Sequence, residues 1–315
     1  MNPPRLEYSI IIPTHNRADR LRRCLDSIAT LDFPQDRFEV IVVDDGGSDA
    51  LEELLALYRA KLQISLFKQN HLGPAAARNL GAANASGTYL AFVDDDCRAN
   101  PDWLSQLSAA FSQSPDAAIG GMTVNALEQN IYSTASQMLI LFLCNYFNRD
   151  PREARFATSS NLSFPAERFR EIGGFSAEFQ TAGGEDRELC DRWRNHGFAI
   201  HYSTSVVVRH FHALTLRQFW RQHWIYGIGG HRFHRIRERQ GQGPIRVEPI
   251  QFYTGILKFP FGKVPIPRAE AISALLALSQ IANAAGFARE KFRGGRAMAL
   301  AGAKAIEPRA ISSER

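Results

Sequence analysis

Phe38-Glu39-Val40-Ile41-Val42-Val43-Asp44-Asp45 is a β-branched run that ends in two carboxylates and is followed by Gly46-Gly47-Ser48-Asp49. A strand with one wet face alternates apolar and polar residues, whereas a stretch that stays apolar from Val40 to Val43 suits a strand covered on both faces. Outward from this stretch the same signal recurs at Tyr8-Ser9-Ile10-Ile11-Ile12-Pro13, at Leu62 to Gln69 and at Tyr89-Leu90-Ala91-Phe92-Val93. Helix-like segments separate these runs: Ala18 to Leu31, Leu51 to Ala60 and Pro74 to Ala85. Strands alternating with helices predict an α/β fold, a doubly wound, mostly parallel, Rossmann-like sheet with helices on both faces.

In such sheets ligands bind beyond the carboxyl ends of the strands. The polar clusters of this chain sit there: Pro13-Thr14-His15-Asn16 after the first strand, Asp44-Asp45-Gly46-Gly47 after the second and Asp94-Asp95-Asp96 after the fourth. Three strand ends are therefore expected to meet at one site. The pattern changes after Gly121. An apolar helix-like segment spans Ile131 to Phe147, a strand candidate spans Arg155 to Phe164, and a Gly-rich turn precedes Glu185-Asp186-Arg187-Glu188. A strand from Ala199 to Val208 then leads to Arg217 to Arg239, where arginines interleave with Trp220, Trp224, Tyr226 and Phe233. Gly241 to Pro249 reads as a linker.

The chain has 315 residues, 45% of them hydrophobic, enough for a substantial core without covalent staples. Cys24, Cys97, Cys144 and Cys190 are far apart in sequence and suggest neither a disulfide framework nor a zinc site. Together with an N-terminus that lacks the pattern of a secretion signal, they predict a cytoplasmic setting. Net charge is +5, concentrated in the Arg217 to Arg239 segment. Basic and aromatic interleaving resembles a single-strand nucleic-acid binder. An amphipathic helix with a solvated basic face is the plainer reading, and contact with anionic headgroups at the inner face of the membrane, or with a phosphorylated acceptor, is preferred to nucleic acid. Ala271 to Ala288 carries no formal charge over 18 residues. A bilayer core of ~30 Å takes about 20 apolar residues, so an interfacial or packed helix is expected there rather than a span.

Chemistry concentrates in the carboxylates. Alternate residues of a strand share a face, which would point Asp94 and Asp96 together and Asp95 away. Two hard oxygen ligands on one side suit Mg²⁺ or Mn²⁺ bound to a diphosphate, although a solvated acidic turn looks the same in sequence. Asp44 or Asp45 can accept from a base or a ribose hydroxyl. Ser48 and Asp49 read more simply as caps of the following helix. Arg78, set among the small residues of Gly73 to Asn79, offers a guanidinium to a diphosphate. Glu185 and Asp186 fit a helix's first turn by charge alone. A nucleotidyltransferase, or a non-catalytic sugar-nucleotide or membrane-binding module, would display many of these features too.

Taken in order, the motifs resemble the family 2 glycosyltransferases of the GT-A fold. The likeness runs through Pro13-Thr14-His15-Asn16-Arg17, Val43-Asp44-Asp45-Gly46, Gly73 to Gly87, Asp94-Asp95-Asp96, Asn161-Leu162-Ser163-Phe164, Ile172-Gly173-Gly174-Phe175 and Gly184-Glu185-Asp186, covering about residues 8 to 215. The resemblance implies a catalytic domain at 1–215, with a nucleotide-sugar half at 1–125 and an acceptor half at 126–215. A basic and apolar helical extension would follow at 216–315. It implies donor contacts from Pro13, Thr14, Asn16, Asp44, Asp45, Arg78, Asp94 and Asp95, and a Mg²⁺ or Mn²⁺ held by Asp96, Asp94 and His210. It also implies Asp186 as general base with Glu185 assisting, and inversion at the anomeric carbon. The donor would be a nucleoside diphosphate sugar, UDP-linked by default. The acceptor would be a hydroxyl of a glycan or lipid-linked acceptor in envelope or exopolysaccharide synthesis.

Overall fold

The computed structural model describes residues 6–243 and 247–304, so the 244–246 part of the expected linker, the first five residues and the end of the expected extension lie outside the described residues. The first half builds as the sequence predicts. β1 (Tyr8–Thr14), α1 (Ala18–Ile28), β2 (Phe38–Asp45), α2 (Leu51–Ala56), β3 (Ile64–Gln69), α3 (Pro74–Ala83) and β4 (Tyr89–Val93) alternate strictly. The strands β3-β2-β1-β4 lie side by side and parallel, with Ile11 opposite both Ile41 and Phe92. Ile10, Ile11, Ile12, Val42 and Val43 are fully buried, as unbroken apolar runs require. Ile10, Ile12, Val40 and Val42 belong to one core cluster, while Ile11, Ile41 and Val43 belong to the other.

Past β4 the sheet becomes mixed. β5 (Cys97–Ala99), α4 (Trp103–Gln113), β6 (Ala118–Asn125), α5 (Ile131–Phe147), β7 (Asn161–Pro165), α6 (Ala166–Glu171), α7 (Glu185–Asn195) and β8 (Ile200–His210) follow in sequence. The eight strands order as β3-β2-β1-β4-β7-β6-β8-β5, with β7 antiparallel to β4 and β6. The strand expected over Arg155 to Phe164 forms only at its end, because the stretch before it is irregular backbone fastened by Asn148, whose Oδ1 accepts from Arg155 N and Phe156 N. Short β5 returns antiparallel against β8, with Cys97 opposite His210.

The chain closes with α8 (Leu216–Arg239), α9 (Ile250–Lys258) and α10 (Ile266–Lys304). A Thr215/Gln218 capping box starts α8. α10 is long and apolar enough to cross a membrane by length and composition. It also packs: Ala269, Ile272, Leu276 and Ser279 are buried at helical spacing. The α8/α10 crossing is backbone on backbone, since a Cβ at Gly227 would lie 1.9 Å from the Asn283 carbonyl oxygen and one at Gly286 1.9 Å from that of Trp224. Gly229 presses in the same way on the turn before α7, where an added Cβ would lie 1.7 Å from the Gly183 oxygen. α8, with α10 packed against it, is thus seated directly on the turn that leads into Glu185 and Asp186 at the start of α7.

Candidate active site

Two cavities of comparable size, about 570 and 580 Å³, open at the carboxyl ends of the parallel strands and share Arg78, Asp94, Ala182, His210 and Tyr226 in their walls. The first is charged. Pro13 and Thr14 from the end of β1, Asp45 from β2 and Asp94, Asp95 and Asp96 from the turn after β4 line it, so the three strand ends do converge. The second cavity holds Glu185 and Asp186.

The acidic triplet departs from the strand geometry expected of it. β4 ends at Val93, and the Cys97 amide donates to the Asp94 carbonyl (3.0 Å), so the three carboxylates occupy a tight turn in which strict alternation no longer applies. Each therefore has its own partners. Asp94 Oδ1 accepts from Arg78 (2.7 Å). Asp95 accepts from Thr14 Oγ1 (2.8 Å) and Arg17 (3.3 Å), fastening the turn to β1. Asp96 accepts from Arg20 (3.0 Å) and faces His210 Nε2 at 3.2 Å. Burial and the neighbouring Asp96 push Asp95 upward, whereas Asp96, against its own burial, is held low by His210. Burial alone would lower His210, but Asp96 raises it, and burial holds the adjacent His212 down at about 4.

The donor set fits a divalent cation. Asp96, His210 and Cys97 place ligand atoms within 4.8 Å of one another. The carboxylate oxygen at a cavity wall suits Mg²⁺ or Mn²⁺, and the imidazole nitrogen beside it suits a transition metal such as Mn²⁺ better than Mg²⁺. Cys97 does not belong to that set: it is fully buried in the core, and burial raises its thiol well above the ordinary value, leaving it a protonated core residue.

Asn16 and Asp44, grouped with the nucleotide contacts from sequence, stand back from the cavity wall. Asn16 sits at φ +52° and accepts from Ser48 N (2.7 Å), while Asp44 accepts from Gly47 N (2.7 Å); both organise the turn after β2. Asp45 lines the cavity, yet its carboxylate already accepts from Gln69 (2.7 Å), Leu72 N (2.8 Å) and Gly73 N (3.0 Å), fixing the start of α3. Asp49 does cap a helix, but α1 rather than the one that follows it, by accepting from Ala18 N at 2.9 Å.

Arg78 is buried and bridges Asp94 to Glu185 (3.3 Å), with the Phe175 ring 5.4 Å from its guanidinium carbon. Its charge balances two carboxylates across the two cavities instead of standing free for a phosphate. Glu185 is fixed from both sides, by Arg78 and by the Gly183 amide (2.5 Å). Asp186 accepts from the Arg187 amide (2.7 Å) and takes a further backbone hydrogen bond from Ser159. Burial first and the Glu185 charge second push it up to about 7, the range that suits a proton acceptor near neutral pH.

Several lining residues escape a reading of motifs. Arg20, one turn into α1, follows from the rule that the helix after a strand end faces the same crevice. His15 and His71 stack with centroids 4.2 Å apart, each donating to the Asp45 carbonyl (2.9 and 3.0 Å) at the mouth of the first cavity. Gln218, Arg221 and Tyr226 of α8 complete the walls. Nothing in the sequence ties α8 to a strand end so far upstream. Phe219 and Phe233 of the same helix are buried, and Arg232, Arg237 and Arg239 pair with Glu290, Asp191 and Glu178, so part of the basic stripe is spent on the fold.

Known proteins match this architecture. The glycosyl transferase family 2 model matches residues 9–173, and that of the N-terminal domain of galactosyltransferase matches residues 142–213. The glycosyltransferase AglE of Haloferax volcanii is 26% identical over 218 residues, 67% of this chain and 70% of that protein. Validoxylamine A glucosyltransferase of Streptomyces hygroscopicus is 30% identical over 220 residues, 61% of this chain but 52% of its own length, so the chain spans about half of that relative. Among solved structures, the mannosyltransferase PcManGT of Pyrobaculum calidifontis, in complex with GDP-Man and Mn²⁺, superposes with a TM-score of 0.59 at 18% identity, covering 94% of this chain and 81% of that one. TarS 1–349 of S. aureus, in complex with UDP-GlcNAc, gives 0.54 at 18% identity with 92% of each chain covered. At that identity the likeness is one of fold.

Proposed function

This chain belongs to glycosyl transferase family 2, and from that membership we propose that it is an inverting glycosyltransferase that moves a sugar from a nucleoside diphosphate to an acceptor hydroxyl. The observation that carries the reading is the pair of cavities that meet at Arg78 and Asp94, one charged and reached by three strand ends, the other holding Asp186. The donor occupies the charged cavity against Pro13, Thr14, Asp45 and the Asp94 to Asp96 turn, with UDP as the default nucleotide. Arg17, Arg20 and Arg221 supply positive charge there. The catalytic unit is read as 1–215, with α8 to α10 completing its walls. The acceptor belongs to envelope or exopolysaccharide synthesis, at the cytoplasmic face of the membrane, which the exposed arginines of α8 would approach.

In the second cavity Asp186 takes the proton of the acceptor hydroxyl as its oxygen bonds to the anomeric carbon. The bond from that carbon to the diphosphate oxygen breaks on the opposite side, inverting the configuration, and its electron pair stays with the diphosphate. Arg78 holds Glu185 and Asp94 in place, so the base and the donor sugar meet in a fixed relation. Asp96, Asp94 and His210 are the residues that would hold Mg²⁺ or Mn²⁺, which when bound supplies positive charge beside the departing diphosphate.

The test is thermal shift and donor turnover against UDP-, GDP- and dTDP-sugars, with and without Mn²⁺. Stabilisation by one donor series in the presence of metal, with release of nucleoside diphosphate, is the expected result. Absence of binding by every nucleotide sugar under all metal conditions would overturn the reading.

A further inference from the structure

The walls of the second cavity differ from those of the first. Their lining is mixed: Thr158, Ser159, Ser160, Arg187 and His234 make one part polar, whereas Ile140 and Leu143 of α5, Phe252 and Tyr253 of α9, and Ala284 and Phe287 of α10 make another part apolar. Leu143 and Tyr253 are only partly buried although they pack on a core cluster of Ala135, Leu139, Phe252 and Ile256, so the cluster ends at the cavity instead of closing on itself. A molecule polar at one end and apolar at the other matches such a lining, since the apolar part offers a sugar ring few hydrogen bonds for the water it displaces. The apolar surface also continues outward. Val247, itself part of the lining, is 78% exposed, and Ile250 at the start of α9 is 68% exposed.

We propose that this cavity takes an acceptor whose hydroxyl is carried on an apolar body, either an alkyl or isoprenoid chain or an aromatic aglycone, with the hydroxyl at Asp186 and the apolar part along α5, α9 and α10. The proposal rests on the transferase reading for the role of Asp186, but the chemistry of the pocket stands on its walls. Sugar, hydroxyl and apolar body then lie in one line through the two cavities: donor, Asp186, lipid or ring.

Binding of glycosides to the full chain tests this without any donor. Methyl, hexyl and octyl β-glycosides of common hexoses, used below their micellar concentrations, and the phenyl β-glycosides are titrated by calorimetry. A buried methylene strengthens binding by at most about fourfold, so hexyl over methyl is expected to gain about tenfold or more. A gain that grows with alkyl length assigns a chain-bearing acceptor, and a gain confined to phenyl assigns an aromatic one. Ile140→Ser and Tyr253→Ser, on two different helices, are expected to flatten the dependence with retained folding by circular dichroism. Equal affinity for methyl, octyl and phenyl glycosides, or a length dependence untouched by both variants, overturns the proposal. Thermal shift with nucleotide sugars on the same preparations separates the two readings: glycoside binding that rises with chain length without any donor binding would remove the transferase role and leave the apolar pocket standing.

Discussion

At the scale of single residues, function turns on which carboxylates are committed to the fold. Asp45, Asp95 and Glu185 have their oxygens engaged by backbone amides and neighbouring side chains; Asp95 and Asp186 are both pushed up to about 7, but of the two only Asp186 lines the second cavity. Asp186→Asn is therefore expected to lower turnover by about 10²- to 10⁴-fold, the range of a lost general base, while donor affinity is retained, as single-turnover kinetics and donor titration would report. In the parent, kcat/KM should rise with pH to a plateau above about 7, a limb absent from the variant. Stability runs the other way. A carboxyl whose folded proton affinity is raised costs stability as pH climbs from its unfolded value near 4 to about 7, so Asp186→Asn should melt higher than the parent at pH 8 and equally at low pH. Arg78→Ala leaves Glu185 buried and unpaired, and breaking such a pair is expected to cost about 3–5 kcal/mol in denaturant unfolding. The sequence made the acidic positions legible because carboxylates at strand ends are informative. It did not say which were already satisfied, since their partners, Thr14 at the end of β1 and the amides of Leu72 and Gly183 in turns, are brought to them only by the fold.

At the scale of elements, the first four strands and their helices were legible because unbroken apolar runs have one comfortable environment, a sheet covered on both faces. The mixed half was harder. Asn161–Pro165 is a short strand after irregular backbone, and its antiparallel place between β4 and β6 leaves no period in the sequence. The Arg217 to Arg239 stretch was legible as a helix but not as a wall of the site, because what seats it is the absence of side chains. Gly229→Ala puts a methyl group into the Gly183 carbonyl, whereas at Gly230 the nearest atom is 4.0 Å away. The first substitution is expected to cost about 1–3 kcal/mol and to depress turnover, the second to raise the melting temperature slightly, since alanine is the better helix former by about 0.4–1 kcal/mol. Paired thermal melts of these adjacent variants would separate helix propensity, which both share, from contact, which only one loses.

At the scale of the whole molecule, the mixed α/β sheet with a helical C-terminal region is the GT-A arrangement of the family, and the terminal helices are structural partners of the site. A chain ending at residue 215 lacks the α8 wall common to both cavities and uncovers the apolar face of α5. It is expected to aggregate or to melt well below the full chain and to lose donor binding, which scanning calorimetry and nucleotide titration would measure. The pairing of β5 with β8 has a further consequence. The turn with the three aspartates is made early, but its partner His210 belongs to a strand that leaves the ribosome only after α4, α5 and α7 have been synthesised. Through that interval the acidic turn lacks His210, and contacts of such long sequence separation form late in folding. A cation site between Asp96 and His210, as proposed above, therefore cannot assemble until β8 has paired with β5.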